Sequence, residues 1–392
     1  MPLFLFIPSF ALFLLVFIRL IFPIYKNNKQ NNKSQKLLFC ITFILFIFAC
    51  KAVFYFTFGK SFFAPELPRN LLIVMEFCYA FVATLLFITL CRDVLLIIHY
   101  FYNKIFDIKH NYKNLFTLII ISFVLSIYVY YEDIKVPQVK TIYLKINDLP
   151  NELNNFKIIQ LTDLHIRKLL DKQWLEKVVE KTNLTNANLI LLTGDYVDDY
   201  VENLSEEMQL LKSLKAYNKF AVLGNHEYFY NATQWRNFFD TNLQIPMLYN
   251  DYKIVEYKGK KIIISGITDY AAARFGLTLP DAENTLLNAQ KQHNADFVIM
   301  LSHQPKNAQQ NAEVIKNKTP FLQLSGHTHG GLTLYLQPII ALFNNGFVNG
   351  LYALNKEENK WLYVSAGTGL WGGFSFRLGT TSEITEIILV KN

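Results

Sequence analysis

Four long apolar runs in the first third of the chain set the first limit on its fold: "PLFLFIPSFALFLLVFI" (2–18), "LLFCITFILFIFAC" (37–50), "LLIVMEFCYAFVATLLFITL" (71–90) and "LFTLIIISFVLSIYVYY" (115–131). Each approaches the ~20 residues a helix needs to cross a bilayer. Residues 1–131 are therefore expected to form a membrane region with four transmembrane helices. A signal peptide is the alternative for the first run, but that run has neither a basic start nor a small-residue cleavage site. Residues 132–154 read as a linker and leading strand, and 155–392 as a separate domain.

Charge divides at the same place. Residues 1–131 carry 12 Lys and Arg against 4 acidic residues, and the remainder carries 26 against 27. The basic excess thus belongs to the membrane part, where it bears on lipid contact and orientation rather than nucleic-acid binding. The loop "KNNKQNNKSQK" (26–36) has four Lys and no acid, and Arg92, Lys104, Lys109 and Lys113 follow the third run. The positive-inside rule puts both segments in the cytoplasm and both chain ends outside it. That topology treats 94–106 as an interfacial amphipathic helix; a crossing there would move the C-terminal domain to the cytoplasmic face. The expected location is a multi-pass cell-membrane protein with an extracytoplasmic domain. All four cysteines lie in or beside the apolar runs, so the C-terminal domain has no disulfide and no Cys-zinc site.

From about 138 the pattern changes to short apolar runs, each closed by a polar cluster. "FKIIQL" leads into "TDLH", "NLILL" into "TGD", "FAVL" into "GNHE", "DFVIML" into "SHQP", and "FLQL" into "SGHTH". Such runs read as buried strands. With helical stretches at 171–183 and 201–217 between them, they give an α/β class. Ligands of such sheets bind beyond the carboxyl ends of the strands. Five of the chain's eight histidines sit in these clusters: His165, His226, His303, His327 and His329. Asp163, Asp195 and Asn225 join them. Imidazole, carboxylate and carboxamide together suit a divalent ion such as Mn, Fe, Zn or Mg, and about eight candidate donors exceed the needs of one ion, so a pair sharing a carboxylate fits.

The ordered set "D-x-H", "GD", "GNHE", a lone His and "GHTH" resembles the calcineurin-like metallophosphoesterases over about 155–392. It is most similar to a membrane-anchored bacterial branch, transmembrane proteins with a metallophosphoesterase domain, through "LSGHTHGG", "GLY" at Gly350–Tyr352, "VSAGTG", and Arg377 before "SEI". The resemblance implies a four-layer αββα sandwich and two metal sites. Asp163, His165, Asp195 and His329 would hold the first ion, and Asp195, Asn225, His303 and His327 the second. It implies that His226 is catalytic, facing the phosphate and stabilising or protonating the leaving oxygen. It also implies a phosphorylated or lipid-linked substrate; some relatives are linked to hydrolysis of UDP-diacylglucosamine, a lipid A precursor.

Plainer readings exist for each residue. Asp163 and Asp195 could cap strand ends, His226 could be structural, and His303 could belong to a loop. Glu227 reads as a supporting or surface carboxylate. Arg377 is read as a substrate-phosphate clamp, with an ion pair to Glu383 as the alternative. Asp269, after "KIIISG", touches substrate or shapes the rim. The apolar stretch 332–352 is either core or a greasy rim that meets membrane lipid. Rival functions are a general phosphodiesterase, nuclease or protein phosphatase outside the cytoplasm, a membrane-tethered metal-binding module, and a transporter. The near-neutral domain offers no basic track for nucleic acid, and the few charges in the spans (Arg19, Lys51, Glu76) favour an anchor over a pathway.

Overall fold

In the computed structural model, which describes residues 3–27, 32–101, 112–316 and 318–392, the chain separates into two compact units. One comprises 1–133 with 373–376, and the other 134–372 with 377–392.

The first unit is helical: α1 (Leu3–Val16), α2 (Phe22–Asn27), α3 (Asn32–Ala49), α4 (Lys51–Gly59), α5 (Arg69–Phe101) and α6 (Tyr112–Ile134). Among the described residues, three helices are long and apolar enough to cross a membrane, at Asn32–Ala49, Arg69–Ile98 and Lys113–Ile134. They make the protein membrane-associated. The expected first span is also helical, but a π-turn at Phe17–Ile21 separates α1 from α2, and α1 has only 14 residues. The stretch 94–106, read as a separate interfacial helix, continues α5 without a break through Phe101; residues 102–106 lie outside the described residues. Its 33 residues exceed what a perpendicular crossing of a ~30 Å hydrocarbon layer requires. The charges noted in the spans are paired. Lys51 and Glu76 are fully buried partners, Tyr55 donates to Glu76 at 2.7 Å, and Arg19 meets Asp93 at 2.7 Å. Paired ions with hydrogen-bonded oxygens are what a packed apolar bundle tolerates.

The second unit holds eleven strands: β1 (Gln138–Ile146), β2 (Lys157–Leu161), β3 (Leu189–Thr193), β4 (Asn218–Val222), β5 (Asp251–Tyr257), β6 (Lys260–Gly266), β7 (Phe297–Leu301), β8 (Phe321–Ser325), β9 (Gly350–Asn355), β10 (Lys360–Val364) and β11 (Glu383–Lys391). They form two sheets, ordered β1-β11-β2-β3-β4 and β5-β6-β7-β8-β10-β9. β2, β3 and β4 run parallel in the first; β6, β7, β8 and β10 run parallel in the second. The sheets face each other across one core. Ile158, Leu189, Leu191 and Val222 meet Ile264, Ile299, Leu322 and Leu324 there, all essentially inaccessible. Strands buried on both faces read as mostly apolar runs, as these do. The outer face of the second sheet packs Val298 and Met300 on Leu286 and Ala289 of α11 (Ala282–Gln292) and on Ala312 of α12 (Ala308–Val314).

Outside the first sheet lie α7 (Lys172–Leu184), which buries Trp174, Leu175, Val178 and Val179, and α8 (Val201–Met208). Asp171 caps α7 by accepting from Trp174 N at 3.2 Å. The helix expected over 201–217 ends earlier, tightening into a 3₁₀ turn at Gln209–Ser213 before β4 begins. The architecture is α/β with two facing sheets, as expected.

Candidate metal centre

Each polar cluster follows the carboxyl end of a parallel strand, and the backbone there is bent to turn side chains inward. Asp163, His165, Asp195, His327 and His329 all have positive φ, between 47° and 72°. Non-glycine residues in that region cost on the order of 1–3 kcal/mol each and persist only where surrounding structure over-determines them. Here it does. Asp163 N donates to Gly194 O (2.9 Å), His165 N to Asp195 O (3.1 Å), Gly369 N to Asp163 O (2.8 Å), and Gly326 N to His303 O (2.9 Å). Two glycines permit the approach. A Cβ on Gly326 would stand 2.2 Å from Asp163 Oδ2, and one on Gly224 2.2 Å from Asp195 Oδ1.

The side chains converge in three overlapping groups, each with ligand atoms within 4.8 Å of one another: Asp163, His165 and His329; His165, Asp195 and His226; Asp195, His303 and His327. Asp195 occupies the middle. Its Oδ1 accepts from His226 N at 2.8 Å. Its Oδ2 lies 3.1 Å from His303 Nε2, 3.9 Å from His165 Nε2 and 4.0 Å from His226 Nε2. On the other side His329 Nε2 is 3.4 Å from Asp163 Oδ1 and 3.2 Å from His165 Nε2. Asn225 stands beside His327 on the wall of one cavity.

Nearly every member is buried, so fixed charge here is expensive unless countercharge is supplied. Burial would lower His226, yet Asp195 and Asp198 beside it push it up to about 9. Burial and neighbouring His303 push His327 down to about 3, leaving a neutral imidazole, the form that binds metal. Asn225 Oδ1 is buried without a hydrogen-bond partner, as a cation's oxygen ligand would be. The donor set therefore fits divalent metal.

Comparison with known proteins agrees. Residues 156–331 match the family model described as calcineurin-like phosphoesterase. A metallophosphoesterase of Campylobacter jejuni is 32% identical over 81% of each chain. The chain belongs to the metallophosphoesterase family. A Helicobacter pylori metallophosphoesterase is 30% identical over 84% of this chain and 86% of its own. A Danio rerio transmembrane protein with metallophosphoesterase domain is 28% identical over 71% of this chain and 63% of its own. This metallophosphoesterase is a metal-dependent hydrolase of phosphoester bonds in phosphorylated substrates; its family uses a dinuclear divalent centre, and its clustered Asp and His groups are of the kind that can hold one.

Asp198, Thr162 and Trp371 add to the metallophosphoesterase site beyond the residues singled out in the sequence, while Glu227 takes the supporting place expected of it. Asp198 accepts from His165 Nδ1 (2.8 Å) and His226 Nδ1 (2.7 Å), fixing the tautomer and orientation of both rings. Its three-residue spacing from Asp195 was the available signal. Glu227 lies inside and accepts the N–H groups of Gly224 (2.8 Å), Asp195 (3.0 Å) and Tyr196 (2.7 Å), so it shapes the turn that carries Asp195. Burial and Asp195 push it up to about 8. Thr162 donates to Asp163 Oδ2 at 2.8 Å. Trp371 lies 5.0 Å from His329 and 6.4 Å from His165, ring to ring, covering that side.

Arg377 departs from expectation. It is fully buried and donates to the carbonyls of Ala366 (3.0 Å), Gly369 (2.8 Å) and His329 (3.4 Å). It braces the loops under His329 rather than clamping a substrate phosphate. Glu383, its other expected partner, takes Lys140 (2.7 Å) and Tyr363 (2.6 Å) instead. Asp269 is buried and caps the 3₁₀ turn Tyr270–Phe275 through Ala271 N at 2.7 Å.

Proposed function

We propose that the protein is a membrane-anchored dinuclear phosphoesterase cleaving a phosphoester or pyrophosphate bond of a lipid-linked substrate. The observation that carries it is Asp195 Oδ2, within 4.0 Å of the Nε2 atoms of three histidines from three loops, a position that suits a bridging carboxylate. Asp163, His165, Asp195 and His329 would hold one divalent ion, and Asp195, Asn225, His303 and His327 the other. Such a pair supplies charge neutralisation at the phosphoryl oxygens and water acidic enough to attack near neutral pH. His226, held at Nδ1 by Asp198, carries a proton for the leaving oxygen.

A lipid-linked substrate is supported by the apolar stretch after the last histidines. α13 (Gln337–Phe343) buries no residue, and Leu342 and Phe343 are 80% and 75% exposed. With Leu334, Tyr335 and Ile339 also exposed, this patch suits a bilayer surface better than water. A chain starting at Ile134 is expected to hydrolyse p-nitrophenyl phosphate with Mn²⁺, yet act far more slowly than the full chain on a vesicle-borne ester. Equal rates on vesicles would remove the lipid-substrate reading.

The basic loops favour a multi-pass arrangement with the catalytic domain outside the cytoplasm. UDP-diacylglucosamine, the lipid A precursor, is made on the cytoplasmic face, so sidedness tests that substrate directly. A C-terminal alkaline phosphatase fusion is expected to be active. An inactive fusion beside an active green fluorescent protein fusion would overturn the orientation and favour the UDP-linked lipid.

A further inference from the structure

Beside Asn225 and His327 opens a cavity of about 320 Å³ whose lining includes two cations, Arg274 and Lys306, and no acid. Neither cation forms an ion pair among the described residues. Lys306 Nζ stands 3.9 Å from the centroid of the Tyr270 ring, which steadies the ammonium without neutralising it. Arg274 projects from the 3₁₀ turn Tyr270–Phe275, and two contacts fix that turn. Asp269 caps it at Ala271 N, and Phe275 packs on Phe229 at 6.1 Å. Asp269 also accepts from Gln304 at 3.0 Å, so one buried carboxylate positions two walls of the cavity.

A volume near the lower end of ligand pockets (roughly 300–1,000 Å³) suits a compact polar group, not an acyl chain. Guanidinium and ammonium groups with no carboxylate in the cavity lining and no ion pair ask for an anion, and Arg presents paired donors to phosphoryl oxygens. The cavity wall that carries them is continuous with Asn225 and His327.

We propose that Arg274 and Lys306 bind a second anionic group of the substrate, the phosphoryl group next to the one cleaved, so that the site selects pyrophosphate-linked substrates over simple monoesters. This rests on the phosphoesterase reading of the metal cluster and names its substrate class.

The test uses the full chain in detergent with Mn²⁺, and the Arg274→Ala/Lys306→Ala double variant. Calorimetry gives the ratio of Kd for methylphosphonate to Kd for methylenediphosphonate in each. Chelation by the diphosphonate enters both proteins equally, so the change in ratio reads the two side chains. The ratio is expected to fall at least about tenfold in the double variant, as loss of charged hydrogen bonds predicts, and to recover in Arg274→Lys/Lys306→Arg. In turnover, kcat/KM for a nucleoside diphosphate sugar should fall at least tenfold more than kcat/KM for p-nitrophenyl phosphate, chiefly through KM. An unchanged ratio of Kd values, or equal losses on the two substrates, overturns the proposal. Failure of the wild type to turn over either substrate would instead overturn the phosphoesterase reading; the ratio of Kd values is read without turnover, so the two failures are distinguishable.

Discussion

Asp195→Asn is expected to lower hydrolysis by roughly a thousandfold or more and to reduce bound metal, while leaving the fold intact. The substitution is nearly isosteric. The new amide oxygen can still accept from His226 N, which meets Asp195 Oδ1 at 2.8 Å, so the turn after β4 keeps its anchor. What disappears is negative charge at Oδ2, the atom nearest the Nε2 of His303 and within 4.0 Å of two further imidazoles. Among the described residues, no other carboxylate is shared between two of the three groups of the cluster. Asp163 is at the His329 end, and Asp198 is engaged with two Nδ1 atoms.

Stability gives a second readout. Buried carboxylates repel one another, and Asp195 helps to push Glu227 up. Although burial opposes its ionisation, His303 and His226 hold the Asp195 carboxyl well below the usual range, so removing its charge should lower the melting temperature of the metal-free protein. The rise that Mn²⁺ produces in the wild type, a linkage effect of preferential binding to the folded state, should largely vanish. Elemental analysis and thermal melts with and without Mn²⁺ measure both. A variant that keeps two metals and normal turnover would refute the bridging role.

The parts of this site that the sequence made legible share one cause. Strands buried on both faces are mostly apolar, so β2, β3, β4, β7 and β8 stand out as short apolar runs, interrupted only where buried Gln160 and Gln323 are hydrogen-bonded in β2 and β8, and their ends are easily found. Asp163, His165, Asp195, Asn225, His226, His303, His327 and His329 all lie just past such ends, and the fold brings them together. Asp198 was hidden because its role depends on two rings from two loops arriving at the same carboxylate, which no local pattern encodes. Glu227 is legible as a supporting carboxylate, but not which groups it holds, since its partners are backbone N–H groups and every residue has one. An arginine before a strand reads alike whether it faces a phosphate or three carbonyls, and it is burial that shows Arg377 holding the carbonyls of Ala366, Gly369 and His329. In the membrane part, apolar composition marks helix but not continuity. It could not show that α5 runs through Phe101, nor that a π-turn divides the first apolar run. The stretch 332–352 is mixed in fact, with Leu332 and Val348 buried while α13 stays exposed.

His226→Ala is expected to behave unlike Asp195→Asn, cutting turnover by roughly 10²–10⁴-fold with metal content near wild type. The geometry leaves two roles open to this ring. Nδ1 is taken by Asp198 at 2.7 Å, and Nε2 lies 4.0 Å from Asp195 Oδ2, close enough that the ring also fits a metal-holding group with His165. Two measurements separate these roles. Metal content falls only if the ring is a ligand. Dependence on the leaving group changes only if it donates a proton: p-nitrophenolate departs without help, whereas an alkoxide does not. A proton donor therefore makes His226→Ala lose much more rate on an alkyl phosphate than on p-nitrophenyl phosphate. A ligand, or a residue acting only on the phosphoryl oxygens, makes the two losses similar. Because Asp198 also holds His165 Nδ1 at 2.8 Å, removing the His226 ring leaves His165 oriented, so the first metal group should survive the substitution. Equal losses on both esters with full metal content would reassign His226 to electrostatic stabilisation of the phosphoryl group, and loss of a metal would make it a ligand.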